Sequence, residues 1–440
     1  MKKYIMLGLV LLPLVLVGQK DAAQLFEPDL IRADIDTLIT KLMLVHPTFK
    51  NHYETHNVES RIDSIKANIK TPMSSIDFFR MMQPFVVVDG HTTLRSIDEI
   101  SPGVENPLFP FRVIIHNNTL YIKENLTDNK SLERGSIIES INGLPTPIVI
   151  ANLTRYIPGE KYNFKTKSLE HQFHIYLALV YGSFSQFTLT VNNAEFNLSG
   201  ATWGDFYEPS KPKFELRFYD DDIAYIYKRK FMPPRDFLHF MDSAFTAISE
   251  KQVKHLIIDN LNGGGMTDLA DSLMSYFTDQ PYGLMEKKVT KLSPMTKDYI
   301  AEKMTEGYLK DGFFILEYPE RSHTRHNKFN GSTYILTGPL SYSTATCFPA
   351  AAKCYGNAFI VGEESGQPLI SNGGQDSFTL PNTGVPCITS LSVVYMPGHN
   401  GNRIDGVFPD YEVRPTLDDQ LNDTDYLLDY TLRLIRSDPE

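Results

Sequence analysis

The sequence predicts a mixed α/β protein, on three observations: helical periodicity in its first part, short strand-like runs with turn signals in its middle, and strands alternating with helices from Phe214 onward. A chain of 440 residues exceeds one compact core, so two or three domains are expected. With 42% apolar and 22% charged residues the composition is that of a globular protein and excludes wholesale disorder. The 53 Asp+Glu against 42 Lys+Arg give a net charge of -11, which argues against a nucleic-acid binder, since such affinity rests on Lys and Arg at phosphates.

Taken in order, Met1-Lys2-Lys3 and the uncharged run from Ile5 to Val17, followed by Gly18-Gln19, read as a secretory signal peptide over residues 1–19. Thirteen apolar residues fall short of the ~20 a bilayer requires, so no permanent membrane anchor is expected. Cleavage would remove Lys2 and Lys3 and take the charge from -11 to -13. The mature protein is then periplasmic or extracellular. Over residues 20–102 a helical domain is expected: Leu30, Ile31, Ile35, Leu38, Ile39, Leu42 and Met43 mark the first helix, which Pro47 stops after His46. Two more helices are expected at Arg61–Ile69 and Ser75–Met82, the latter capped by Ser74 or Ser75. Phe85–Val88 reads as a buried extended piece that delivers Asp89-Gly90-His91-Thr92 into a turn.

Residues 103–205 read as a small, mostly β module, with strands at Phe111–His116 and Leu120–Lys123 around the turn Asn117-Asn118 and a compact unit from Leu132 to Gly143. Residues 206–440 form the α/β core. Its strands are Ile223–Tyr227, Leu256–Asp259, Tyr334–Thr337 and Ala358–Gly362, and residues 344–355 are expected to be helical. Residues 282–328 read as an insertion, and Asp425–Ile435 as a terminal helix. Cys347, Cys354 and Cys387 have no zinc-like spacing and read as free, buried thiols. His171-x2-His174 and His323-x2-His326 lack partner clusters; neither a metal nor a cofactor is expected.

Three constellations can carry chemistry. Gly338–Thr344 lies between a strand and a helix, where free N–H groups and the helix dipole favour negative charge developing at a serine. Ser341 and Ser343 could each serve there as a plain cap. Asn262-Gly263-Gly264-Gly265 follows a buried strand, and successive glycines let amides face a ligand closely, as an oxyanion hole requires. His91 follows a glycine in a loop, and a neutral imidazole near Ser343 could take its proton and return it.

With these pieces in order, the chain resembles the S41 family of serine peptidases, which includes the C-terminal processing (tail-specific) and tricorn-type proteases, and within it the secreted group common in Bacteroidetes-like bacteria. The motifs are Val45-His46-Pro47, Asp89–Thr92, Gly135–Gly143, Leu256–Asp259 with Asn262–Gly265, Ser341–Ala345, Gly362–Gly366, Leu380–Gly384 and Gly406–Asp410. The resemblance implies a crotonase-like/ClpP-like core, a PDZ-like module at 103–205, Ser343 as nucleophile, and amides of Gly264 or Gly265 with Thr344 as oxyanion hole. The family's Ser–Lys branch carries its base after the Gly-Glu turn, but here Pro368 stands there and no lysine follows Lys353. The tricorn-type branch uses a histidine from the preceding domain, which His91 matches. Asp405 is the first choice for the acid orienting His91, with Glu363 and Glu364 as alternatives, while Asp410 reads as a turn residue. Asn260-Leu261 stands where the family pattern has an arginine-containing run, and Pro349 predicts a kink or restart in the helix after Ser343. The expected function is an exported endopeptidase acting on peptides or proteins. Its rival is a non-catalytic protein of the same fold that binds peptides or apolar ligands. Hydrogen-bonding reach between His91 and Ser343 discriminates them; the oligomeric state is left open.

Overall fold

The computed structural model describes residues 24–95, 107–207, 212–278, 280–322, 325, 327–356 and 358–437. The expected leader and the His323/His326 pair lie outside them. The first helix, Pro28–Val45, opens with a proline, whose missing N–H costs nothing at that position, and buries Ile31, Ile35, Leu38, Leu42 and Val45 along one face. Helices Phe49–Thr55 and Val58–Asn68 follow, and Ser75–Val86 starts at a capping box formed by Ser74 and Asp77.

That last helix corrects one expectation. Phe85 and Val86 are helical rather than extended, and the helix runs through Pro84. Proline leaves the carbonyl four residues back, that of Arg80, without its helical donor. The Tyr156 hydroxyl donates to Arg80 O at 3.0 Å, so the carbonyl is satisfied from outside the helix and no break is needed.

The middle of the chain forms a six-stranded antiparallel sheet in which Phe111–His116, Thr119–Asn125, Ile137–Ile141, Gln186–Val191 and Ala194–Ser199 lie side by side and Leu144–Pro145 flanks the third. Asn117 and Asn118 both take positive φ (50° and 61°), the turn that matches the twist of a tight hairpin. Two helices, Thr146–Thr154 and Tyr162–Tyr181, were not anticipated by the mostly-β reading. In the longer one Leu169, Phe173 and Leu177 recur at four-residue steps and pack on the sheet, but the aromatic and basic residues between them dilute the period.

The core is a second six-stranded sheet, ordered Phe214–Tyr219, Ile223–Lys228, His255–Asp259, Ser332–Thr337, Phe359–Gly362, Tyr411–Glu412. All its pairings are parallel except the first. Helices Pro234–Glu250, Thr267–Met274 and Thr344–Tyr355 alternate with the strands, and strand residues divide between two apolar cores. Ala224, Ile226, Leu256 and Ile258 face these helices, while Ile223, Tyr225 and Ile257 face the terminal helix Tyr426–Ser437. The expected insertion contributes strands Lys287–Lys291, Tyr308–Lys310 and Phe313–Glu317 to a third sheet with the long hairpin Ile370–Thr379 and Pro386–Tyr395. Thr93–Leu94 joins that hairpin, Leu94 opposite Cys387 and Thr93 opposite Ile388. The N-terminal helices share their apolar core with Phe378, Leu380, Val385 and Cys387 of the same hairpin. All three cysteines are free; Cys347 and Cys387 are buried, whereas Cys354 is exposed, contrary to expectation. Among the described residues no helix is long and apolar enough to cross a membrane.

Candidate active site

Ser343 is the residue before helix Thr344–Tyr355, with φ 60° and ψ -127°. A non-glycine residue at positive φ costs on the order of 1–3 kcal/mol and persists only where its surroundings hold it. The Ser343 N–H donates to Gln367 Oε1 at 2.6 Å. The helix beyond it neither kinks nor restarts at Pro349, as expected from the sequence, but continues to Tyr355. Ser341, the other serine of the loop, is fully buried; its hydroxyl donates to Asn260 O at 2.6 Å and accepts from Gly338 N at 3.1 Å, a structural use.

The glycine turn lies against this loop. Phe231 N donates to Gly264 O and Met266 N to Phe231 O, which pins the turn to the segment after strand Ile223–Lys228. A methyl group on Gly264 would stand 3.2 Å from Ser343 Cβ and 3.8 Å from its Oγ, so only glycine leaves that approach open. Thr344 Oγ1 donates to Gly265 O at 2.7 Å, and the Thr344 amide, first of its helix, has no intrahelical acceptor. Ser343, Gly264, Gly265 and Thr344 are thus brought together.

His91 reaches the same place from the N-terminal part of the chain, tethered by the pairing of Thr93–Leu94 with the core hairpin. Its Nδ1 lies 3.0 Å from Asn372 O. A carbonyl can only accept, so Nδ1 carries the hydrogen and a neutral ring has Nε2 bare. The ring packs on that of Tyr342, 5.2 Å between centroids, and Phe164 covers the same tyrosine at 4.5 Å. Among the described residues no hydrogen bond joins Ser343 Oγ to His91. They are linked instead through Gln367, whose Oε1 holds Ser343 N and whose Nε2 donates to the carbonyl that His91 uses, at 3.5 Å.

The charges around His91 differ from the sequence expectation. Asp405 does not approach the ring: its Oδ2 accepts from Asn400 and Asn402, each at 2.7 Å, closing its own loop. Glu364 pairs with Lys161 and accepts from Gly406 N. Neither Glu364 nor Glu363 bonds to the ring, whose Nδ1 is occupied by Asn372. The nearest carboxylate is Asp89, fully buried, which accepts the His91 amide at 2.8 Å and, at its other oxygen, a 2.8 Å bond from His46 Nε2. His46 Nδ1 accepts from Thr48 N, so its proton sits on Nε2 and points at Asp89. Burial opposes the Asp89 charge, but the bond from His46 and the proximity of His91 outweigh it and hold the carboxyl well below its ordinary range. Burial lowers the His91 pKa, and Asp89 and the Asn372 carbonyl pull it back in part. Glu160 completes the cluster: Tyr342 OH donates to its Oε2 at 2.6 Å, and its Oε1 is buried with no hydrogen-bond partner among the described residues. Burial and the Asp89 charge raise its pKa to about 7.

Sequence reasoning missed Gln367, Asn372 and Glu160, which carry no local motif. His46 and Asp89 lie within sequence motifs, but no spacing assigns them a role.

Residues 222–413, which contain Ser343, the glycine turn, Gln367 and Asn372, match the family model described as Peptidase family S41. Over these residues the core is similar to peptidase family S41. Among solved structures the chain is similar to mature CPAF, with TM-score 0.67 and 16% identity over 94% of this chain and 99% of that one. It is equally similar to mature CPAF complexed with lactacystin, with TM-score 0.67 and 16% identity over 93% and 99%. At such identity these likenesses speak for the fold. No curated protein matches the chain in sequence.

Proposed function

We propose that this protein is an exported serine endopeptidase of the S41 kind in which Ser343 is the nucleophile and His91 the general base. The observation that carries the reading is the His91 tautomer: with Nδ1–H on the Asn372 carbonyl, Nε2 is the bare, basic nitrogen beside the Ser343 loop. Ser343 Oγ attacks the scissile carbonyl carbon while Nε2 takes its proton. The oxyanion is met by the amides of Gly264 or Gly265 and Thr344, and the imidazolium returns the proton to the leaving amine. Water, deprotonated in turn by His91, releases the acyl group. Asp89 supplies a negative charge that favours the imidazolium without touching Nδ1. Hydrogen bonds of this kind are often long before substrate binds, so the open Ser343 hydroxyl is compatible with the scheme.

Ser343→Ala should abolish peptide hydrolysis and labelling by a serine-directed phosphonate while circular dichroism stays unchanged. Undiminished hydrolysis in that variant would overturn the assignment. A second reading, a peptide-binding protein that does not cleave, is favoured by the carbonyl rather than carboxylate at His91 Nδ1. It predicts that the wild type binds a peptide library without turnover or labelling. Export is tested by the N-terminal sequence of the protein recovered from its cell.

A further inference from the structure

A buried lysine lies beneath the site. Lys228 ends strand Ile223–Lys228, and because strand residues alternate sides it points the way Ala224 and Ile226 do, into the apolar core. It is 1% exposed. Among the described residues its Nζ makes a single hydrogen bond, 2.7 Å to Asn260 Oδ1, and lies 4.1 Å from the centre of the Phe231 ring. A lysine so placed loses its hydration for one bond, a costly position for a residue with no task.

Its partner supplies the task. Asn260 is wholly buried and donates from Nδ2 to Ala345 O at 2.7 Å. Ala345 lies four residues before Pro349, inside the helix that begins after Ser343. In an ordinary helix the amide of residue 349 would satisfy that carbonyl, and proline has none. Asn260 therefore stands in for the missing helical donor. Its own backbone carbonyl receives Ser341 Oγ, so one residue holds the chain on both sides of Ser343. An amide side chain can present either end, and Lys228 decides which: with Oδ1 taken by the ammonium, Nδ2 must face Ala345. Phe231, under the same ammonium, is bonded through its backbone to Gly264 and Met266.

We propose that Lys228 is a positioning residue for Ser343: acting through Asn260, it replaces the hydrogen bond that Pro349 removes and fixes the helical turn carrying Ser343 and the Thr344 amide. This rests on Ser343 being the nucleophile. Burial lowers the Lys228 pKa to about 7 against the pull of Asp259, yet the charged and neutral amine both keep an N–H for Asn260 Oδ1, so the clamp holds in either state.

The test uses the whole chain and four variants: Lys228→Met and Asn260→Leu, each alone and each combined with Pro349→Ala, which returns an amide to Ala345 O. The readouts are the rate of phosphonate labelling at Ser343 and hydrogen exchange of the amides of residues 345–348. Each single variant should label about 10²-fold more slowly, the loss that a displacement of about 1 Å brings, and exchange faster in that turn. Adding Pro349→Ala should return both readouts toward wild type. A Lys228→Met protein that labels at the wild-type rate, or a failure of Pro349→Ala to rescue, overturns the proposal. If Lys228→Met does not fold, the Asn260→Leu pair carries the same decision. If the wild type itself is not labelled, the nucleophile assignment falls, and the exchange rates with their rescue still decide the clamp.

Discussion

His91 sits beside a carboxylate that bonds its amide rather than its ring, and this arrangement has a measurable sign. The Asp89 charge raises the His91 pKa against the lowering effect of burial. Asp89→Asn should therefore move the acid limb of the labelling–pH profile to lower pH, because the imidazole then stays neutral further into acid; an upward move would contradict the account. The variant should also lose stability at neutral pH, since a depressed folded pKa contributes stability that is present above the unfolded value and lost as pH falls. Glu160 has the opposite sign. Its folded pKa, about 7, lies above the ordinary glutamate value, so its contribution is full in acid and lost as pH rises toward 7. Glu160→Gln should flatten the fall in stability between about pH 5 and 7, as read from denaturant midpoints at several pH values.

At the scale of elements, two helices among the described residues contain an internal proline and neither breaks, because a side chain from elsewhere in the chain donates to each freed carbonyl: Tyr156 to Arg80 O and Asn260 to Ala345 O. A proline in sequence announces the lost bond but not its replacement, whose donor lies 76 residues away in one case and 85 in the other. This is why Phe85–Val86 read as extended and why a kink was expected at Pro349. Tyr156→Phe should destabilise the protein by about 1 kcal/mol, the cost of losing a hydrogen bond to a partly buried carbonyl, and Pro84→Ala in that background should recover most of it. Urea denaturation of the two variants decides the point.

For the whole molecule, His91 and Ser343, the proposed base and nucleophile, lie 252 residues apart in sequence and share one site because the N-terminal helices are fastened to the core hairpin. Asp34 is the clearest fastening. Fully buried, it accepts from the Asn382 backbone and side chain and from the Thr383 backbone and hydroxyl, at 2.7–3.2 Å. Asp34→Ala leaves the buried Thr383 donors unpaired and should cost about 3 kcal/mol or more. It should also slow labelling of Ser343 although, among the described residues, the Asp34 carboxylate bonds only to Asn382 and Thr383. Unaltered labelling in a measurably destabilised variant would show that His91 is held by the Thr93–Leu94 pairing alone.

The α/β alternation of the core, the first helix and its stop at His46, and the placing of Ser343 before a helix with glycines nearby are legible in the sequence, because periodicity, capping and turn chemistry are local properties of a chain. The sequence also singles out His91. What surrounds that ring comes from the folded chain: Asn372 O rather than Asp405 at Nδ1, Asp89 beside it with His46 behind, Gln367 linking it to Ser343, and Lys228 beneath the turn. Burial and hydrogen-bond partners are made by distant segments converging, and residues such as Gln367, Asn372 and Asn260 gain their roles from a geometry no spacing encodes.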